Sequence, residues 1–318
     1  MNKIRIQLNT IHNTDCLSGL KLLPDNSVNC GVTSIPYYGL RDYGTATWVG
    51  GNPNCAHSDR NETNIDSQIG LEETPEAYVF RIVEVFMEVH RVLKSTGTLW
   101  LNIGDSYWGG KGYGGSSAGI YQYERRKANK SITRECSNFG GPGTIRPTDR
   151  KHEYIKPKDL IGIPWTIALA LRNAGWYLRQ DIIWHKPNPM PESVKDRCTK
   201  SHEYIFLLTK SRKYYFDFKA ILEPTADGKS TRHKRDVWTV CTKAEKENHF
   251  AVFPEALIVD CIKAGCPENG IVLDPFMGSG TTAVVARKLN RNYIGFELNP
   301  EYIEIANRRL NRELGMFK

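Results

Sequence analysis

Between Ile271 and Thr282 the chain reads Ile-Val-Leu-Asp-Pro-Phe-Met-Gly-Ser-Gly-Thr-Thr: an apolar run ending in an acid, a turn built on two glycines, and a helix start. Glycines in such a turn let backbone approach a ligand closely, and the free amides of a helix N-terminus favour polar or anionic groups. The turn is not a Walker phosphate loop, because no lysine follows the second glycine, and it lacks the three-glycine spacing of the dinucleotide fingerprint. About twenty residues on, the apolar stretch NYIGFEL carries Glu297 near its end, where a doubly wound sheet sets the acid that hydrogen-bonds a ribose diol. Strand, acid, glycine turn, helix and second acid together point to an α/β fold with a nucleoside-binding crevice.

The rest of the chain alternates in the same way. IRIQL, CLSGLKLL and VNCGVTS read as strand, helix and strand. Pro75 to Leu93 places Tyr78, Ile82, Val85, Phe86, Val89 and Leu93 three and four apart, with a start at Thr74, and predicts a helix feeding the strand TLWLNIG. From residue 106 to 152 glycine is too dense for regular structure. DLIGIPWTIALALRNAGW is a helix with an Asn-Ala-Gly stop, and LRQDIIWHK and EYIFLLTK are strands. Periodicity is poor from Tyr214 to Asn248, which looks like an appended module; FPEALIVDCIKAG and PEYIEIANRRLNREL are helices.

Composition narrows the function class. At 318 residues, 40% hydrophobic and 25% charged, the chain is an ordinary globular protein, one large domain or two smaller ones. No stretch has the ~20 apolar residues of a membrane span, and MNKIRIQLNT lacks a signal-peptide core, so a cytoplasmic protein with no membrane partner is expected. The eight cysteines are scattered without a CxxC pair, and reduced thiols are expected. Cys55 and His57 would supply two ligands where structural zinc needs about four, so no metal is expected. A net charge of +8 favours a polyanionic partner. It concentrates in a basic insertion from Lys111 to Lys158 and in a second cluster, Lys210 to Arg235, interleaved with Tyr214, Tyr215, Phe216, Phe218 and Trp238, as surfaces that stack bases and hold phosphates are.

Thr33-Ser34-Ile35-Pro36-Tyr37 follows the strand VNCGV and so lies at a carboxyl end, where open α/β sheets put their sites. An exocyclic amine is a poor nucleophile because its lone pair is shared with the ring. Oxygen acceptors such as Ser34 Oγ and a main-chain carbonyl can draw it toward tetrahedral geometry, and Tyr37 offers a face to a base taken out of the stack.

At these residues the sequence resembles the beta-class amino-group DNA methyltransferases, whose cofactor loop reads DPFxGSGTT and whose catalytic segment precedes it. The resemblance covers nearly the whole chain apart from the glycine-rich insertion and the aromatic basic module. It implies a Rossmann-like methyltransferase fold in permuted motif order, a doubly wound, mainly parallel sheet with an embedded target-recognition region. Residues 1–105, 153–209 and 249–318 would form the catalytic and cofactor-binding domain, 106–152 a basic insertion and 210–248 the target-recognition region. It implies that S-adenosylmethionine binds at Phe276, Gly278, Ser279, Gly280, Thr281 and Thr282, with Asp274 near its amino-acid end, Glu297 on its ribose, Asp15 at its adenine and Phe253 and Pro254 along its methionine.

Ser34, Ile35, Pro36 and Tyr37 stand where the family has Ser-Pro-Pro-Tyr or Asp-Pro-Pro-Tyr. Ile35 keeps the carbonyl that the role requires but not proline's fixed φ. The implied function is methylation of a flipped base in double-stranded DNA. Cytosine N4 is the first choice because residue 34 is Ser; adenine N6 and a catalytically silent DNA-binding homologue are the alternatives. Such proteins are bacterial, archaeal or phage-encoded and nucleoid-associated, and a homodimer and a cognate restriction endonuclease are left open as partners.

Overall fold

The computed structural model describes residues 6–39, 48–49, 65–66, 68–109, 147–242 and 253–315. They fall into two compact units: residues 1–35, 83–104 and 164–318 belong to the first, and residues 36–82 and 105–163 to the second. The chain forms β1 (Thr10–Asn13), α1 (Cys16–Leu22), β2 (Val28–Ser34), α2 (Pro75–Val92), β3 (Leu93–Ile103), α3 (Ile163–Asn173), β4 (Tyr177–His185), β5 (His202–Thr209) and β6 (Val237–Thr239). It continues with α4 (Glu255–Gly265), β7 (Ile271–Asp274), α5 (Thr281–Lys288), β8 (Asn292–Glu297) and α6 (Pro300–Leu314).

These eight strands form the main sheet in the order β1-β8-β7-β2-β3-β5-β4-β6, parallel except for β5, which runs antiparallel to both β3 and β4; two short pairs, 48–49 with 65–66 and 223–224 with 231–232, lie outside it. Helices cover both faces. On one face, Val89 of α2 and Leu99 close over Gly31, and α1 lays Gly19 on the Phe296 ring. On the other, α4 and α5 pack against Cys30, Val32, Trp100 and Val272. Thr98 to Ile103 of β3 is buried at every residue, which is why Leu99-Trp100-Leu101 reads as an apolar run rather than an alternation.

The sheet reverses its winding between β7 and β2: α5 carries the chain from β7 to β8 on one side, while on the other β2 leads on to β3. Ligands of open α/β sheets bind outside the carboxyl ends of the strands at such a point. Here those ends are Asp274 and Ser34, on strands in direct register at Leu273 and Gly31.

Two expectations are corrected. Among the described residues the first strand is Thr10–Asn13; of IRIQL, Ile4 and Arg5 lie outside the described residues, Ile6 and Gln7 belong to no strand, and Leu8 forms a turn with Asn9, whose φ of 57 is a left-handed conformation Asn tolerates. The stretch from Tyr214 to Asn248, expected as an appended module, is joined to the main sheet over its described residues, 214–242. Trp238 is buried and its strand β6 is the edge of the main sheet, parallel to β4. The Tyr215 N–H donates to Thr96 O and the Asp217 N–H to Ala264 O, both at 2.9 Å, while Lys210 Nζ donates to Leu93 O at 2.8 Å. These partners lie at the amino end of β3 and the last turn of α4, so residues 210–217 hold the edge opposite Ser34. The basic residues from Lys111 to Arg146, the Cys55 and His57 pair, and His249 to Val252 lie outside the described residues. Among the described residues no helix is long and apolar enough to cross a membrane.

Candidate active site

Asp274 ends β7 fully buried and takes three protein donors. Its Oδ1 accepts from Thr33 Oγ1 at 2.6 Å and from the Phe276 N–H at 3.0 Å, and its Oδ2 accepts from Thr282 Oγ1 at 2.6 Å. One carboxylate thus ties β2, the loop and the first turn of α5 together. Burial pushes its pKa up to about 6, against the pull of the Thr282, Thr33 and Phe276 bonds. Thr281 is committed as well, accepting from Arg309 of α6 at 2.9 Å.

The glycines have separate tasks. Gly280, the N-cap of α5, has φ 83, and a Cβ there would stand 2.7 Å from Ala306 Cβ, so only glycine lets α6 close on the loop. Gly278 has φ 52, but a Cβ there would meet no atom nearer than Phe276 O at 4.0 Å: the loop leaves clear space at this point. Its N–H donates to Glu297 Oε2 at 2.8 Å, and the Asn299 N–H donates to Oε1 at 2.8 Å, so Glu297 spans the loop and the start of α6. Burial raises the Glu297 pKa, the two amides lower it, and Asp274 adds to the rise.

Ser279 is buried, and its Oγ has no hydrogen-bond partner among the described residues. Buried hydroxyls are ordinarily satisfied, so an unpaired one in a loop with open space beside it fits a polar ligand. Phe276 is half-buried, and Phe253 is packed in the core ahead of Pro254, the N-cap of α4. Asp15 lies just beyond the carboxyl end of β1, the neighbour of β8, and caps α1 by accepting from the Ser18 N–H at 2.9 Å.

Ser34 closes β2, half-buried, and Ile35 follows with 2% exposure; they end the first segment of the first unit. Pro36 and Tyr37 open the second unit. There Pro36 O accepts from Tyr78 Oη at 2.6 Å, and the Gly39 N–H donates to Gly70 O at 2.8 Å, pinning the segment that carries Tyr37. Asp105, also in the second unit, is a backbone anchor: it accepts from the amides of Ser106, Gly162 and Ile163 and caps the start of α3. Burial pushes the Cys266 thiol up to about 12 and raises Cys30 and Cys261 well above their ordinary value, so none of them is a thiolate nucleophile at neutral pH. Among the described residues no group of three or more His, Cys, Asp or Glu is placed to hold a metal.

Sequence reasoning missed Thr33 as the partner of Asp274. The two residues are 241 apart in sequence, and only the register of β2 against β7 brings them together.

A doubly wound sheet whose switch point carries an acid, a glycine loop over open space and a second acid one strand out defines an α/β protein built to hold a nucleoside cofactor. The family model for DNA methylases of the N6/N4 type matches residues 28–308, and the chain belongs to that family, with S-adenosylmethionine as its cofactor and DNA as its substrate. It is 47% identical over 305 residues to the type II methyltransferase M.Cfr9I of Citrobacter freundii, covering 96% of this chain and 88% of that one. It is 45% identical over 299 residues to M.SmaI of Serratia marcescens, covering 94% and 89%. Among solved structures it is similar in fold to a DNA modification methylase of Thermus thermophilus, TTHA0409, complexed with S-adenosyl-L-methionine (TM-score 0.58, 22% identity, 96% and 93% covered). It is also similar in fold to the cytosine-N4-specific PvuII DNA methyltransferase (TM-score 0.61, 16% identity, 94% and 87% covered).

Proposed function

We propose that this DNA methyltransferase acts on the N4 amine of cytosine in double-stranded DNA. The observation that carries the proposal is Ser34: a hydroxyl at the carboxyl end of β2, one residue beyond the Thr33 that is bonded to the cofactor loop's acid. The bound cofactor supplies a methyl group on sulfonium, an electrophile needing no further activation. The protein therefore has to make the amine nucleophilic. Ser34 Oγ and the Ile35 carbonyl accept the two amine hydrogens and draw the nitrogen lone pair out of the ring, and Tyr37 stacks on the base. The cofactor would supply the methyl group and keep the carbon–sulfur electron pair as the leaving thioether, and Ser34 would pass the surplus amine proton to water.

The cofactor is held by the Phe276–Gly280 loop. The unpaired Ser279 Oγ takes one of its polar groups, Glu297 its ribose hydroxyls, and Asp15 its adenine, while Phe253 and Pro254 line the methionine side. Asp274, Thr281 and Thr282, already bonded within the protein, set the shape of the loop.

Incubation with mixed-sequence duplex and labelled S-adenosylmethionine, followed by digestion to nucleosides and mass spectrometry, tests the proposal. N4-methylcytosine is expected. N6-methyladenine would show that Ser34 does not choose the base, and cofactor binding without any product would mark a silent homologue.

A further inference from the structure

Met190, 84% exposed, is the most exposed large apolar side chain among the described residues. It stands between Pro189 and Pro191 in the loop 186–201, which joins β4 to β5 beyond their last register pair, His185 with His202. Because β5 runs backwards, this loop emerges on the carboxyl edge of the sheet, the edge that carries Ser34. One row of the sheet runs Ser34, Asn102, Ile205, Ile182. Three strand spacings set β4 about 14 Å to the side of β2, and three further residues raise His185 about 10 Å above that row. His185, at the foot of the loop, is therefore about 17 Å from Ser34, and the five residues from it to Met190 keep the tip within about one helical turn of DNA, about 34 Å, of the catalytic segment.

The loop is braced rather than loose. Asn188 exchanges two hydrogen bonds with the Thr242 backbone, its Oδ1 accepting from the N–H at 2.9 Å and its Nδ2 donating to the carbonyl at 3.1 Å. The Lys186 N–H donates to Ser201 O at 2.7 Å, and Glu192 takes Arg197 at 2.6 Å and the Lys200 N–H at 3.2 Å. Lys186, Lys195, Arg197 and Lys200 outnumber the loop's two acids, Glu192 and Asp196, giving the base of the tip a positive balance. A methionine held in water by two prolines, on a braced, basic loop beside a base-modifying segment, matches the apolar wedges with which proteins part stacked bases.

Resting on the DNA reading above, we propose that the Pro189–Met190–Pro191 tip enters the duplex and occupies the stack left by the flipped target base, lowering the cost of extruding it. Unstacking is cheaper when the target is already mispaired, so the wedge should matter for paired DNA and not for mispaired DNA.

The test compares wild type, Met190→Ala and Met190→Leu on a duplex carrying the site that wild type methylates and on the same duplex with the target base mispaired. Expected for Met190→Ala is a loss of about tenfold or more in kcat/KM on paired DNA, recovery to within about twofold on mispaired DNA, and unchanged cofactor affinity and melting temperature; Met190→Leu, which keeps the bulk, stays near wild type. An unaffected Met190→Ala enzyme, or an equal loss on both duplexes, overturns the wedge while leaving the DNA reading in place. Wild type inert on every duplex overturns both.

Discussion

Thr33 Oγ1 donates to Asp274 Oδ1 at 2.6 Å, joining the strand that ends in Ser34 to the strand that opens the cofactor loop. The bond lies in a fully dry site, so one element's position is transmitted directly to the other. Thr33→Val keeps the shape and removes the donor, leaving a buried carboxylate short of one partner. Urea denaturation should show a loss of about 1–3 kcal/mol, and calorimetry a weaker cofactor affinity. Full stability in the valine variant would deny Thr33 this role.

Asp274 also sets a pH dependence. Its folded pKa of about 6 lies above its ordinary 3.8, so the folded protein keeps this proton to higher pH than the unfolded chain. The resulting stability is fully present below about pH 4 and is lost as pH rises through about 6. Measured against Asp274→Asn, wild type should lose at most about 3 kcal/mol across that window and change little above about pH 7.

Gly278 and Gly280 should separate binding from folding. Gly280→Ala meets Ala306 at 2.7 Å in a left-handed backbone, and thermal denaturation should record a fall of several degrees or more, from about 1–2 kcal/mol of backbone strain plus the clash. Gly278→Ala carries similar backbone strain without the clash, so it should melt closer to wild type while its methyl group fills the clear space and weakens cofactor binding more than it weakens the fold.

Ser279 should show opposite signs in two assays. Its buried hydroxyl has no partner among the described residues, so Ser279→Ala removes a desolvation penalty and should hold or raise stability by about 1 kcal/mol. If that hydroxyl serves the cofactor, titration calorimetry should record weaker S-adenosylmethionine binding by the same variant; unchanged affinity would remove Ser279 from the site.

Ile35 replaces a family proline with a buried side chain at 2% exposure. Ile35→Pro exchanges that packing for a fixed φ. The melting temperature should fall by the equivalent of about 1–3 kcal/mol, while the single-turnover rate rises because the carbonyl is preset. A rate unmoved by the proline would mean that packing alone already orients the carbonyl.

The cofactor loop was legible in twelve consecutive residues because strand, turn and helix start each have a local signature, and Ile271 to Thr282 shows all three. What joins the loop to the catalytic strand was not legible, since a bond such as Thr33 to Asp274 depends on strand order and register. The direction of β5 was equally hidden, because an apolar run reads the same whichever way it lies in the sheet. Local patterning also misled twice. IRIQL alternates like a strand, yet Leu8 and Asn9 turn, and poor periodicity after Tyr214 suggested an appended module, yet Val237 to Thr239 pairs with β4 in the main sheet.

The pairing of β1 with β8 and of β2 with β7 has a consequence for biosynthesis. Thr10 aligns with Ile294, and Cys30 with Val272, so β1 and β2 find these neighbours only after some 240 to 280 further residues have been made. Contacts so distant close slowly, and unpaired strand edges invite association with other chains meanwhile. Until β7 and β8 emerge, the nascent chain holds one side of β2 open, so the crevice between β7 and β2 is completed only late in synthesis.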